Sequence, residues 1–268
     1  MVHEKNTGFV QGLINTIAMA KGEYIAIHGS GDIALPTRLE KQVEVLDSRP
    51  DVGAVGCWYT NINERTGQRT TVQTTADSFS LDDLARQNPF SHGEVMFRRT
   101  EYEKAGGYRP EFRFAQDIDL WMRIRKSARI ATVPEFLYER YILSDGVTHN
   151  PRKFADQARY SILGRRLARM PEREQLEILA LIREDGPAAA IPKDDPELQH
   201  RYVRGTINMG RSGSPTAAIA SARENIVSPW RRALLILAFR VYGSPARGII
   251  DHMRSILRTV RQSRTPKR

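Results

Sequence analysis

The chain has 268 residues, 40% of them hydrophobic and 27% charged, the proportions of a packed globular protein and not of a disordered one. Its single cysteine, Cys57, excludes an internal disulfide and a cysteine-built metal centre, and no stretch approaches the roughly 20 apolar residues needed to span a bilayer. The net charge of +10 is uneven: residues 1–150 hold 18 Lys/Arg against 20 Asp/Glu, and residues 151–268 hold 23 against 11.

In chain order, Phe9, Val10, Leu13, Ile14, Ile17 and Ala18 recur at helical spacing over 9–21, and Gly22 stops the helix. Tyr24 to Ile27 reads as a short buried strand, broken by His28-Gly29-Ser30-Gly31-Asp32. Pro36 opens a second helix with Leu39, Val43 and Leu46 inward, and residues 51–57 read as the next strand. This β–loop–α–β order predicts an α/β domain with a mainly parallel sheet. Residues 61–73 suggest a hairpin around Thr66-Gly67, Leu81 to Gln87 a short helix, and His92 to Phe97 a strand. A brief helix over 102–105 ends at Gly106-Gly107 and another runs from Asp119 to about Ser127, before strands at 130–133 and 136–142.

Beyond Pro151 helical periodicity takes over, at 153–169, 172–184, 197–209, 215–226, 230–242 and 245–262. Two domains are therefore expected, residues 1–150 as the α/β part and 151–268 as a basic helical region.

Two constellations carry candidate chemistry. A buried strand delivers Gly29-Ser30-Gly31-Asp32 at its C-terminal edge, where open α/β sheets bind ligands. The glycines admit a close-lying ligand and Asp32 supplies a carboxylate, although the same residue suits a plain turn cap. In Phe114-Ala115-Gln116-Asp117-Ile118-Asp119 two carboxylates stand at a helix start. They suit the macrodipole, or one of them abstracts a proton from a hydroxyl nucleophile. Spacing alone does not choose.

Several segments, in order, resemble the family 2 glycosyltransferases of GT-A fold over about residues 5–145. Asn6-Thr7-Gly8 with Asn15 resembles the entry to the helix before the family's metal motif, and Gly22-Glu23-Tyr24-Ile25-Ala26 its following strand. Gly29 to Asp32 stands in the place of an Asp-X-Asp-Asp motif, and Pro36-Thr37-Arg38-Leu39-Glu40-Lys41-Gln42 matches its continuation. Pro89 to His92 with Val95 to Arg98 resembles the acceptor-side strand; Gly106-Gly107-Tyr108 and Gln116-Asp117-Ile118-Asp119-Leu120-Trp121 match two later motifs.

The resemblance implies a GT-A-like mixed sheet lacking its first strands, followed by a helical C-terminal region. It also implies inverting transfer of a sugar from a nucleotide-sugar donor to a hydroxyl acceptor on a polysaccharide, a glycoprotein glycan or a lipid-linked sugar. Asp117 falls on the general base, with Gln116 where a glutamate is usual. Asp32, Ser30, Gly31 and Arg38 fall on the donor side, and His92, Gly93 and Asp119 on the acceptor side. Of the metal motif only Asp32 remains, which implies a weakened Mg²⁺ or Mn²⁺ site or a glycine loop that takes the diphosphate through backbone N–H groups and His28. A complete member carries a further stretch before Asn6 holding the nucleotide pocket, so the resemblance implies an N-terminally truncated enzyme. A non-catalytic glycan- or nucleotide-binding remnant is the alternative.

From Ser228 to Arg268 ten Lys/Arg face one acidic residue, Asp251. Apolar faces at Trp230, Leu234, Leu235, Leu237, Ala238 and Val241, and from Ile249 to Val260, suit either packing on the enzyme or contact with an anionic membrane surface. The expected location is cytoplasmic, with peripheral membrane contact. Basicity also suits a nucleic-acid-binding module, but the first half is acidic and no nucleic-acid motif is visible, so none is expected as a partner.

Overall fold

The computed structural model describes residues 6–142, 151–211 and 214–242. Its packing defines two compact units, Met1–Gly146 with Arg159–Ile191, and Val147–Ala158 with Pro192–Arg268. The change of composition after Pro151 and the division by packing do not coincide, because residues 159–191 belong with the sheet.

The first unit is built on α1 (Phe9–Met19), β1 (Tyr24–Ala26), β2 (Ile33–Ala34), α2 (Arg38–Ser48), β3 (Val52–Asn63), β4 (Arg69–Val72), α3 (Leu81–Arg86), β5 (Met96–Arg98), α4 (Arg99–Lys104), α5 (Gln116–Ile124) and β6 (Arg129–Ile142). One sheet runs in the order β1-β5-β3-β6-β2, with β4 paired to β3. The expected mainly parallel sheet is corrected: β3–β6 is parallel, whereas β1–β5, β3–β5, β3–β4 and β2–β6 are antiparallel. The sheet is therefore mixed, as the resemblance implied.

Local chemistry explains most boundaries. Asn63 Oδ1 accepts the N–H groups of Arg65 and Thr66, closing the β3–β4 turn in which Gly67 holds φ at 67°. Ser80 and Asp83 form a reciprocal capping box on α3. The two strands expected at 130–133 and 136–142 are one strand, β6, which pairs Val133 with Cys57 and Phe136 with Trp58. Pro134 and Glu135 bulge out between those pairs, which removes the need for the N–H that proline lacks.

Helix α5 is the centre of the core. Eight of its nine residues are buried, and Trp121 packs edge-on against Phe90 and tilted against Phe97. At Gly56 an added Cβ would lie 2.4 Å from the Phe90 ring, so the missing side chain lets that ring reach the sheet. The Arg159–Leu167 part of helix α6 (Pro151–Leu167), helix α7 (Glu172–Asp185) and the short α8 (Pro187–Ala190) complete the unit.

The second unit contains α9 (Pro196–Arg211), α10 (Pro215–Asn225) and α11 (Pro229–Tyr242). Phe239 of α11 packs with Met209 and Ala218, its ring 1.9 Å from where a Cβ on Gly210 would stand. Buried Thr206 and Ser221 share a hydroxyl–hydroxyl hydrogen bond of 2.8 Å between α9 and α10. The helix expected at 245–262 lies outside the described residues.

Candidate active site

Burial alternates through β1 and the two residues after it, with Ile25 and Ile27 buried and Ala26 and His28 exposed, and the glycine loop follows. Gly31 takes φ 86°, which glycine adopts without a Cβ penalty. Both oxygens of Asp32 are engaged: Tyr138 Oη donates to Oδ2 at 2.7 Å, and the backbone N–H of Tyr141 to Oδ1 at 2.9 Å. Tyr138 Oη in turn accepts the Gly29 N–H at 2.9 Å. Burial and the Asp32 hydrogen bond push the Tyr138 hydroxyl far above its ordinary range, so it stays a neutral donor. Gly93 closes this corner, since an added Cβ there would stand 2.4 Å from Tyr138 Oη and 3.2 Å from Asp32 Oδ2. The expected donor-side Asp32 and acceptor-side Gly93 are thus brought together.

Ser30 and Gly31 are exposed at the loop tip. Arg38 is not: at 1% exposure it donates to the Ile27 carbonyl at 2.7 Å and to Gln42 Oε1 at 3.1 Å, and its guanidinium lies 5.0 Å from the Tyr138 ring centroid. The donor contact expected of Arg38 is replaced by a supporting one, because its charge faces the interior beneath the loop.

A double-mutant cycle tests this corner. Gly93→Ala forces the new methyl into Tyr138 Oη and costs about 1–3 kcal/mol. In Gly93→Ala/Tyr138→Phe the hydroxyl that clashes is gone, so the pair loses less stability in urea unfolding than the two single changes added together.

The neighbouring residue, His92, faces the other way. It is 8% exposed, takes φ 79°, shares a 2.8 Å hydrogen bond between Nε2 and Tyr108 Oη, and meets Phe9 and Trp121 through its ring. Glu94, fully buried, holds this turn by accepting the backbone N–H and hydroxyl of Ser91. Burial raises the Glu94 carboxyl above its usual range.

Asp117 sits in the first turn of α5, half-buried. The Asn88 amide donates to Oδ2 at 2.7 Å, and Oδ1 has no hydrogen-bond partner among the described residues. Burial and the Asp117 charge both raise the Tyr108 hydroxyl above its ordinary range, and the same charge opposes the lowering of His92 by burial. Among the described residues His92 and Ala115 are the two non-glycines with positive φ; Ala115 precedes Asp117 by two positions and His92 follows its Asn88 anchor by four, and such backbone costs about 1–2 kcal/mol per residue. Strain gathered at one spot is a mark of functional loops.

Burial lowers the His92 pKa, and the Asp117 charge partly opposes this. Folding therefore requires a neutral imidazole, whereas the unfolded chain takes up a proton below about pH 6.5. The contribution is present above pH 6.5 and is lost as the pH falls through the folded value. Between pH 7.5 and 5.5 the wild type should lose more stability than His92→Gln, as read from urea midpoints.

Asp119, expected on the acceptor side, is 1% exposed. Its Oδ1 accepts Arg109 Nη1 at 3.1 Å, and its Oδ2 accepts Arg123 Nη2 at 2.6 Å and Nε at 3.2 Å. The carboxylate is spent on two guanidiniums inside the protein, which corrects the acceptor contact expected of it.

For a divalent cation, Asp32 is a lone carboxylate with each oxygen already accepting a hydrogen bond. Among the described residues no group of three or more His, Cys, Asp or Glu could hold a metal. The side chains present do not form a cation site by themselves.

Sequence reading missed Asn88, Tyr108 and Tyr138 as parts of the site. Tyr108 was visible as the end of Gly106-Gly107-Tyr108; Asn88 and Tyr138 carried no signal beyond a loop and a strand pattern.

The family model described as glycosyltransferase-like family 2 matches residues 1–160. The amylovoran biosynthesis glycosyltransferase AmsE of Erwinia amylovora is 30% identical over 146 residues, 54% of each chain. The putative glycosyltransferase EpsE of Bacillus subtilis is 29% identical over 140 residues, 51% of this chain and 50% of that one. The match thus spans about half the length of these curated relatives. Among solved structures, residues 1–349 of S. aureus TarS align over 92% of this chain and 73% of theirs, with 16% identity and a TM-score of 0.46. With its family match extending across every strand of the sheet and both constellations, the chain belongs to glycosyltransferase-like family 2.

Proposed function

We propose that the protein transfers a sugar from a nucleotide-sugar donor to a hydroxyl of a glycan or lipid-linked acceptor, with inversion at the anomeric carbon. The observation that carries this reading is the placement of Asp117: one carboxylate oxygen is anchored by Asn88 and the other has no hydrogen-bond partner among the described residues, two positions after the strained backbone of Ala115. That oxygen takes the acceptor proton as the hydroxyl attacks the anomeric carbon; the bond to the nucleoside diphosphate breaks and the diphosphate leaves with the electron pair. The exposed loop at Ser30 and Gly31 receives the donor's phosphates, and His92 and Gly93 border the acceptor. Among the described residues Asp32 alone does not make a site for Mg²⁺ or Mn²⁺.

The basic residues 228–268 bring the protein peripherally to the cytoplasmic face of an anionic membrane, where a lipid-linked acceptor would be presented. Release of nucleoside diphosphate from a panel of UDP- and GDP-sugars, using protein expressed from its complete reading frame, tests the reading. Acceptor-dependent release supports transfer. Saturable binding of a nucleotide sugar without release would instead identify a non-catalytic binding protein.

A further inference from the structure

Helix α11 has two faces of opposite character. Phe239 is buried and Leu235 half-buried against the α9–α10 pair, so the helix is fixed in place on one side. On the other side Trp230, Leu234, Leu237 and Val241 are 65%, 60%, 62% and 40% exposed. At about 100° per residue these four fall within about 60° of arc. Arg231 and Arg240, both exposed, stand on either flank of that stripe, and the Arg231 guanidinium lies 5.1 Å from the Trp230 ring centroid.

We infer that this stripe of α11 is a docking face for an anionic lipid surface. The helix has 14 residues, about 21 Å at 1.5 Å each, and none of the described helices is long and apolar enough to cross a membrane. It therefore lies in the plane of the interface. Leucine and valine enter the acyl boundary, tryptophan sits at headgroup level, and the two arginines extend sideways to lipid phosphates.

Charge selects this occupant over the others. Helix α11 has three arginines and no acidic residue, so a second copy packed stripe to stripe would bring arginine against arginine. The segment 243–268 carries seven Lys/Arg and one acidic residue and would meet the same repulsion. An anionic bilayer supplies both the apolar phase and the counter-charge. This deepens the peripheral-membrane part of the proposed function and is independent of the glycosyl-transfer part.

The test is flotation of the full chain with vesicles of phosphatidylcholine alone and with 30% phosphatidylglycerol (roughly physiological anionic charge). Wild type should bind the anionic vesicles at least about tenfold more tightly than the neutral ones, and 0.5 M salt should weaken the binding because surface charge is screened over about 4–5 Å at that ionic strength. Leu234→Glu/Leu237→Glu replaces two exposed residues and so should fold, with an unchanged circular dichroism spectrum, yet lose at least about tenfold in vesicle affinity. Equal flotation of variant and wild type would overturn the inference and assign binding to residues outside α11. A wild-type dimer that the same variant dissociates, without vesicle binding, would overturn it in favour of a second copy. No donor or turnover enters this assay, so its failure leaves glycosyl transfer untouched.

Discussion

Asp117→Asn should lower the rate of sugar transfer by about 10²–10⁴-fold, the usual contribution of a positioned general base, and leave the fold intact. The amide keeps an oxygen for the Asn88 Nδ2–H group that now donates to Oδ2, and the residue is only half-buried, so the substitution removes the proposed base and little else. The loss should fall on kcat, with the donor KM nearly unchanged, because the proton moves only in the transition state. Asn88→Ala gives a graded counterpart. It frees the carboxylate from its anchor without removing the base, so activity should drop less than in Asp117→Asn. Steady-state kinetics on the three proteins, with circular dichroism as the folding control, measure this directly. An Asp117→Asn protein with wild-type kcat would move the base elsewhere.

The second large effect concerns stability and falls two residues away. Asp119→Ala removes the carboxylate held between Arg109 and Arg123. Arg123 is 8% exposed and also donates to the carbonyls of Ala105 and Gly107; Arg109 reaches Gln175 on α7 at 2.6 Å. The ion pairs therefore tie α5 to the Gly106-Gly107 turn and to α7. Stranding two guanidiniums in this setting costs about 3–5 kcal/mol, the penalty for breaking a buried pair from one side. At about 2–4 °C per kcal/mol for a unit of this size, the melting temperature should fall by roughly 10 °C. Asp119→Asn keeps one acceptor oxygen and should lose less. The two aspartates thus separate by readout, Asp117 through kcat and Asp119 through thermal unfolding.

The sequence made these roles legible to different depths. Gln116 to Trp121 showed an amphipathic helix with carboxylates at its start, and α5 begins at Gln116, which puts Asp117 inside the first turn. Nothing in the spacing separated Asp117 from Asp119. What distinguishes them is the arginine pair, and Arg109 comes from a turn ten positions away whose approach depends on the fold. Arg38 falls on the donor side by resemblance, through the Pro36–Gln42 segment that continues the family's metal motif. Its burial beneath Tyr138, a residue 100 positions later on β6, could not be read locally. The glycines were legible as a loop that something approaches. That the approaching groups at Gly29 and Gly93 are Asp32 and Tyr138 required the sheet to bring β2 and β6 side by side. Strand direction was the weakest reading, since alternation of strands with helices does not by itself fix whether neighbours run parallel. β5, between β1 and β3 in the sheet, runs antiparallel to both.

The stereochemistry of the product tests the central claim most directly. In the proposed mechanism an acceptor hydroxyl deprotonated by Asp117 attacks from the face opposite the leaving nucleoside diphosphate, so a donor with an α-linked sugar should give a β-linked product. Protein expressed from its complete reading frame, supplied with such a donor and an acceptor glycan, should yield a new anomeric proton signal of the inverted configuration by NMR. A product of retained configuration, or no transfer from any nucleotide sugar offered, would contradict the account.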